Sequence, residues 1–512
     1  MDCLAQLDAP VLSRLLSNLP QKEALAVAAL AAPWPQLAGA CVRVLAISSR
    51  TPFAPAGAVA AAGGFRRVRE LVVDCRSEDP SMCARAAQLL ERIHSSCQPP
   101  LLERLVVRGL SFEDASQGAE LRLFEMVLRL AQGSPALRRL EFEEVHAARP
   151  GAPDSALQQL VALLGEASHL PALVELTLCS CQQALRCVRG ALFGPLGAQM
   201  QRLDLSNNGL GAGGAATVAS ALPQLLQLQA LLLAGNGIGP QGAVFLGQGL
   251  VALCGTLREL DLSANGLTAE GLRELVGPCQ LLKLRVLKLR GSWIAAEGVE
   301  ALVLLLQPLG PSLEELDLSQ NKLYASSMRA LLAGLPEMPK LQWLSLAENT
   351  FATADFVAWP PGTSNFGRLA EVAPQLRELD LRDIGLGTSA DDFALRAVGA
   401  GIPPGLEKLH LSGSKLEAVQ LQQLFQVLPP GLRLRVLSLV RCQLDDAGVA
   451  MLAVAALGIT LPSLDQLRVL DIRANPVSSA ASTALLEALR KSPAFRELKV
   501  TSLQRSRVQV MK

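Results

Sequence analysis

The chain has 512 residues, half of them hydrophobic but only 4% aromatic, with a single Tyr, so Leu and Ala must build its interior. Its 47 basic residues stand against 46 acidic ones, a formal net charge of +1, which argues against charge-driven binding to nucleic acid or to a membrane surface. Eleven Cys are scattered along it, and the opening MDCLAQLDAP has neither a basic segment nor an apolar run of the secretory kind, so an intracellular, cytoplasmic setting is expected, with the nucleus open.

Residues 7–38 carry apolar side chains at helical spacing (Leu7, Val11, Leu12, Leu15, Leu16), a break at Asn18-Leu19-Pro20, then a second helical stretch from Leu25 to Trp34 and Leu37. Residues 1–40 are therefore expected to form a short all-α module. The most apolar early stretch, 26–47, is interrupted by Pro33, Pro35 and Arg43 and makes a poor membrane span. The low-complexity segment TPFAPAGAVAAAGG at 51–64 reads as a loop.

From residue 41 to 503 the chain repeats. The frame L-x-x-L-x-L-x-x-N is clear at 228–236, 257–265, 313–321 and 341–349, and is kept with Met or Ile substitutions at 200–208 and 467–475. Looser copies begin at Val42, Val68, Leu102, Leu137, Leu173, Leu284, Leu376, Leu406, Leu434 and Phe495, which makes about fifteen or sixteen units. Spacing is 27–30 residues in the regular part, 171–350, and reaches 33–36 in the irregular parts, 41–170 and 351–503. Each frame is followed by a helical pattern, as in GLTAEGLRELVG at 266–277, so strand and helix alternate and the sheet should be parallel. The frame leucines point inward, and the closing Asn should satisfy backbone groups in a ladder along the stack. Cys181, Cys442, Ser292 and Ser414 fall in that ladder slot, while Leu110, Val145 and Ile384 break it.

This frame resembles the leucine-rich repeats of the ribonuclease-inhibitor type, over about residues 42–503 and most specifically over 200–350. The resemblance implies an α/β solenoid, a horseshoe with a parallel sheet on its concave face and helices on its convex face. Residues 7–38 resemble a degenerate F-box, matched at Leu7, Leu12, Leu15, Leu19, Leu25 and Trp34. That likeness implies recruitment of a Skp-type adaptor and a cullin, with the repeats receiving the substrate of a ubiquitin ligase. Leu7-Asp8 replaces the usual Leu-Pro, and Pro33 and Pro35 flank the Trp, so a plain cap on a binding scaffold is the alternative. A small-GTPase activator is a remote third reading, since the Ran GTPase-activating protein has similar repeats but an acidic tail, where this chain ends basic.

With Leu344 and Leu346 inward, alternation turns Trp343 and Ser345 outward onto the concave face. Sibling repeats give the position of Trp343 to charged residues such as Glu315, Glu378 and Lys408. An aromatic among charges is a typical binding anchor, so a protein partner is expected on Trp343, Glu315, Asp317, Glu378, Asp380, Arg382, Lys408, His410, Lys288 and Arg290. The insertion 351–374, with Trp359 and Phe366, is the alternative cover for Trp343. Neither nucleic acid nor membrane is expected as a partner.

Chemistry is sparse. The four His (94, 146, 169 and 410) form no triad motif, Cys179, Cys181 and Cys187 lack a second pair to complete a zinc site, and no G-x-x-x-x-G-K-[ST] occurs. No catalytic residue, metal or cofactor is expected, and the basic tail 504–512 reads as solvated.

Overall fold

A computed structural model describes residues 44–48, 68–76, 81–96, 102–111, 118–145, 160, 163–164, 169–181, 197–349, 366–387, 393–429, 432–456, 466–492, 494–501 and 508–511. The F-box-like segment 7–38, the 51–64 stretch, insertion residues 351–365, His146 and Cys187 lie outside them. The chain divides into two compact units, 1–236 and 237–512.

In the first unit the strands are β1 (Val44–Ile47), β2 (Glu70–Asp74), β3 (Arg104–Arg108), β4 (Arg139–Glu143), β5 (Glu175–Cys179), β6 (Arg202–Asp204) and β7 (Ala230–Leu232). Each pairs in parallel with the next in sequence. The described helices between them are α1 (Met82–Ser96), α2 (Gly118–Gln132) and α3 (Gly211–Ala221). Helix meets sheet at Phe124 of α2 and Phe142 of β4, both buried, with ring centroids 5.7 Å apart.

In the second unit β8 (Glu259–Asp261), β9 (Val286–Lys288), β10 (Glu315–Asp317), β11 (Trp343–Ser345), β12 (Glu378–Asp380), β13 (Lys408–His410), β14 (Val436–Ser438), β15 (Val469–Asp471) and β16 (Glu497–Thr501) are again parallel and in chain order. The helices are α4 (Gly239–Leu250), α5 (Thr268–Cys279), α6 (Val299–Leu309), α7 (Ala325–Gly334), α8 (Gly367–Val372), α9 (Phe393–Gly401), α10 (Ala418–Val427), α11 (Asp446–Ala456) and α12 (Ser479–Arg490). Both units are thus α/β leucine-rich-repeat solenoids. The tail, expected to be solvated, departs from that reading: β17 (Val508–Met511) pairs antiparallel with β16, Lys499 opposite Val510. It occupies the open edge that β16 would otherwise present to other chains.

The frame explains the packing. Leu313, Leu316 and Leu318 are fully buried, and Leu341, Leu344 and Leu346 nearly so. At about 1.5–3 kcal/mol for each buried Leu, a repeat is held by neighbours that complete the burial of its leucines. The residue before each ladder position turns the chain at positive φ, from Asn207 (59°) through Gln320 (57°) and Glu348 (56°) to Ala474 (56°). The ladder forms as expected. Asn349 accepts the Asn321 N–H at 2.9 Å and the Leu323 N–H at 3.1 Å, and its Nδ2 donates to the Leu318 and Leu346 carbonyls at 2.9 Å each. Cys442 substitutes more weakly: Asn475 Oδ1 accepts its N–H at 2.8 Å, while its thiol donates to the Leu411 carbonyl at 3.4 Å. Cys181 does the same in the first unit, its N–H on Asn208 Oδ1 at 2.6 Å and its thiol on the Cys179 carbonyl at 3.2 Å.

Candidate partner-binding groove

The three-residue strands of the second unit bury their central Leu and turn the flanking residues toward the helix-free face of the sheet. Parallel register sets Glu315, Trp343, Glu378 and Lys408 side by side on β10 to β13. A groove of about 490 Å³ opens over this row, lined by Trp343, Glu315, Glu378, Lys408 and Lys288, together with Glu314, Gln342, Arg377 and Glu407. Trp343 is half-buried, and its backbone N–H is fixed to the Glu314 carbonyl at 3.1 Å.

Most charges near the groove are matched within the chain. Glu378 takes Lys408 Nζ on one oxygen at 2.7 Å and meets His410 Nε2 with the other at 3.2 Å. Glu314 is held bidentately by Arg285, at 2.8 and 2.7 Å, which keeps its carboxyl below the usual range. Glu407 is paired with Arg435 at 2.7 Å. These are exposed pairs, each worth about 0–1 kcal/mol, so they arrange the groove wall more than they stabilise the fold. Glu315 makes no side-chain bond within the described residues. The result is an indole standing between Glu315 and Glu378, where neighbouring repeats are charged.

Five of the ten expected partner-binding residues therefore come together: Trp343, Glu315, Glu378, Lys408 and Lys288. His410 touches the groove only through Glu378. Asp317, Asp380, Arg382 and Arg290 lie toward the other ends of the strands and are used locally. Asp317 accepts the Ser319 N–H at 3.0 Å and its hydroxyl at 2.6 Å. Asp380, only 4% exposed, accepts the Arg382 N–H at 3.1 Å and its guanidinium at 2.6 Å. An Asp in the middle column closes its own turn, as Asp204 and Asp261 do with Ser206 and Ser263. Arg290 reaches Glu348, which Gln320 also holds. Glu314, Gln342, Arg377 and Glu407 escaped the sequence reading because they precede the strands, where alternation does not apply. Their shared frame position, directly after the first Leu, is the signal that identifies them.

The described part of the insertion lies elsewhere. Phe366 is buried at the start of α8, its carbonyl packed against Gly401 at the end of α9. That places it in the helix layer, away from Trp343. Among the described residues no group of three or more His, Cys, Asp or Glu is placed to hold a metal ion, and no helix is long and apolar enough to cross a membrane.

The fold and the groove define a repeat protein that presents a row of outward side chains on a parallel sheet. A family model described as "Leucine Rich repeat" matches residues 200–219, 249–276, 280–303 and 434–453. The ribonuclease inhibitor of Sus scrofa is 29% identical over 359 residues, 68% of each chain. Among solved structures, the Rad7–Elc1 complex of yeast has a chain 16% identical, covering 77% of this chain and 81% of that one at a TM-score of 0.42. LegL7 of Legionella pneumophila is 17% identical, covering 57% and 88%, at 0.38. These matches identify the repeats as leucine-rich repeats, similar to those of the ribonuclease inhibitor.

Proposed function

We propose that this chain is a non-enzymatic binding scaffold that docks a protein partner on the helix-free face of its second unit, with Trp343 as the anchor. The observation that carries the reading is the placement of Trp343: a half-buried indole lining a groove, between two carboxylates, at a position where the other described repeats carry charged or small aliphatic residues and no other ring. Burying such a ring against a partner is worth about 2 kcal/mol or more at a well-packed interface. The relation to an inhibitor, a protein that by its name acts on another protein, supports the same reading.

The test is affinity purification of the full chain and of Trp343→Ala, with quantitative mass spectrometry of what each retains. Trp293→Ala, which removes another exposed indole away from the groove, is the control. Proteins lost with Trp343→Ala and kept with Trp293→Ala are the expected outcome. An identical set retained by all three chains sinks the assignment. The ligase-receptor reading rests on the sequence pattern of Leu7, Leu12, Leu15, Leu19, Leu25 and Trp34. It requires a Skp-type adaptor and a cullin in the same purification, both lost with Leu12→Ala/Leu15→Ala.

A further inference from the structure

We infer that Arg435, Arg468 and Arg496, the residues that directly precede β14, β15 and β16, form a receptor for an acidic peptide segment of a partner protein. They share the frame position directly after the first inward residue. Side chains of adjacent repeats reach one another at this position: Arg285 meets Glu314 at 2.7 Å, and Arg435 meets Glu407 at 2.7 Å. Arg69 and Glu103 of the first unit are paired in the same way. In each of these pairs the neighbours have opposite sign.

Arg258 and Arg285 already stand side by side with the same sign, and the last three repeats extend this to three arginines in succession. The Arg468 N–H bonds the Arg435 carbonyl at 2.8 Å and the Arg496 N–H bonds the Arg468 carbonyl at 2.8 Å, so the three residues stand in direct succession. Like charges side by side on neighbouring strands are destabilising, and a Glu at any of the three positions would have relieved them. Glu407 neutralises Arg435 alone. Arg468 and Arg496 are exposed and bonded to no acidic side chain among the described residues. Arg433, also exposed, extends the basic surface into a hollow of about 450 Å³ that Arg377 and Glu407 line with it.

The stack suits carboxylates. A guanidinium fork grips a carboxylate through two parallel N–H bonds, and neighbouring strands set such forks about 4.8 Å apart. A peptide crossing the strand starts can satisfy several with successive acidic side chains. Single-stranded nucleic acid fits less well. It is held by stacking on exposed aromatic rings, and the large exposed aromatics among the described residues, Trp293 and Tyr324, belong to other repeats. This surface adjoins the Trp343 groove through Arg377 and Glu407, which line both, and Trp343→Ala distinguishes the two in the test.

The experiment is fluorescence anisotropy of a labelled hexaglutamate peptide titrated with the full chain. Saturable binding that weakens with salt is expected, and R468Q/R496Q should lose roughly tenfold or more, the equivalent of one charge-assisted hydrogen bond. Arg258→Gln, which removes a guanidinium bonded to the Leu257 and Gly255 carbonyls, and Trp343→Ala should bind as the parent does. If R468Q/R496Q does not fold, R468K/R496K keeps the charge without the fork and should lose severalfold. The inference is overturned by absence of saturable binding, or by equal binding in the substituted chain. It is equally overturned by an equal loss in Arg258→Gln, or by a labelled single-stranded oligonucleotide that binds more tightly than the peptide through the same arginines.

Discussion

Replacing Asn349 with Ala removes one rung of the ladder without touching a leucine. Asn349 is fully buried, and its amide makes its four shortest bonds to backbone groups, the N–H of Asn321 and Leu323 and the carbonyls of Leu318 and Leu346, beside a longer one to the Ala347 carbonyl at 3.3 Å. Alanine leaves all four without that partner in a site closed to water. At about 1 kcal/mol for each such group, the loss is about 4 kcal/mol, large for a single substitution. Cys442→Ala is the matched comparison, because the Cys442 N–H stays on Asn475 and only thiol contacts at 3.4 and 3.6 Å disappear. Its cost should be about 1 kcal/mol, the loss of one small buried group. A repeat array can open locally rather than all at once, so hydrogen exchange at the Asn321 and Leu323 amides is the appropriate readout, supported by urea unfolding. Asn349→Ala should reduce protection there by about three orders of magnitude, at about 1.4 kcal/mol per tenfold. Equal effects of the two substitutions, or undiminished protection of those two amides, would refute the reasoning.

Three further outcomes follow from particular contacts. Burial pushes the thiols of Cys181, Cys279 and Cys442 up to about 12, so iodoacetamide at pH 8 should leave them unmodified in the folded chain while exposed Cys254 reacts, as peptide mass mapping will record. Gly387 sits at φ +74° with the Lys415 carbonyl where a Cβ would go, so Gly387→Ala should destabilise by about 1–3 kcal/mol, read as a lower melting midpoint. Burial raises the Asp261 carboxyl above 3.8 against the opposing bonds from Ser263. Its contribution to stability is therefore greatest below the unfolded value and is lost as pH rises through the folded one. Asp261→Asn, which keeps an acceptor for the Ser263 N–H, should raise the urea midpoint at pH 7 and flatten its fall as pH rises above the usual carboxylate range.

The repeat was legible in the sequence because each frame leucine has one environment, and one residue of slippage would turn a charged side chain into the core. The same periodicity found Trp343, since an indole among Glu315, Glu378 and Lys408 breaks a column that alternation had already set on the open face. What escaped was decided outside the alternating residues. Glu314 and Arg377 reach the groove from the turn before the strand, and β17 forms by pairing with the edge of β16, which leaves no trace in a repeat count. Asp317 and Asp380 were assigned to the partner because their column faces outward. Their spacing to Ser319 and Arg382, two residues on, is the local mark of a turn that binds its own Asp. The insertion 351–374 is expected as an alternative cover for Trp343, whereas its described residue Phe366 is buried in the helix layer against Gly401.

Site-specific photocrosslinking gives the most direct measurement of where a partner docks. Benzoylphenylalanine placed at Gln342, on the groove beside Trp343, is compared in cells with the same group at Leu304, 51% exposed on the helix α6. A discrete crosslinked protein from position 342, absent from 304 and abolished by Trp343→Ala, is the predicted result. Crosslinks from 304 alone, or from 342 with no dependence on Trp343, would place the binding surface elsewhere.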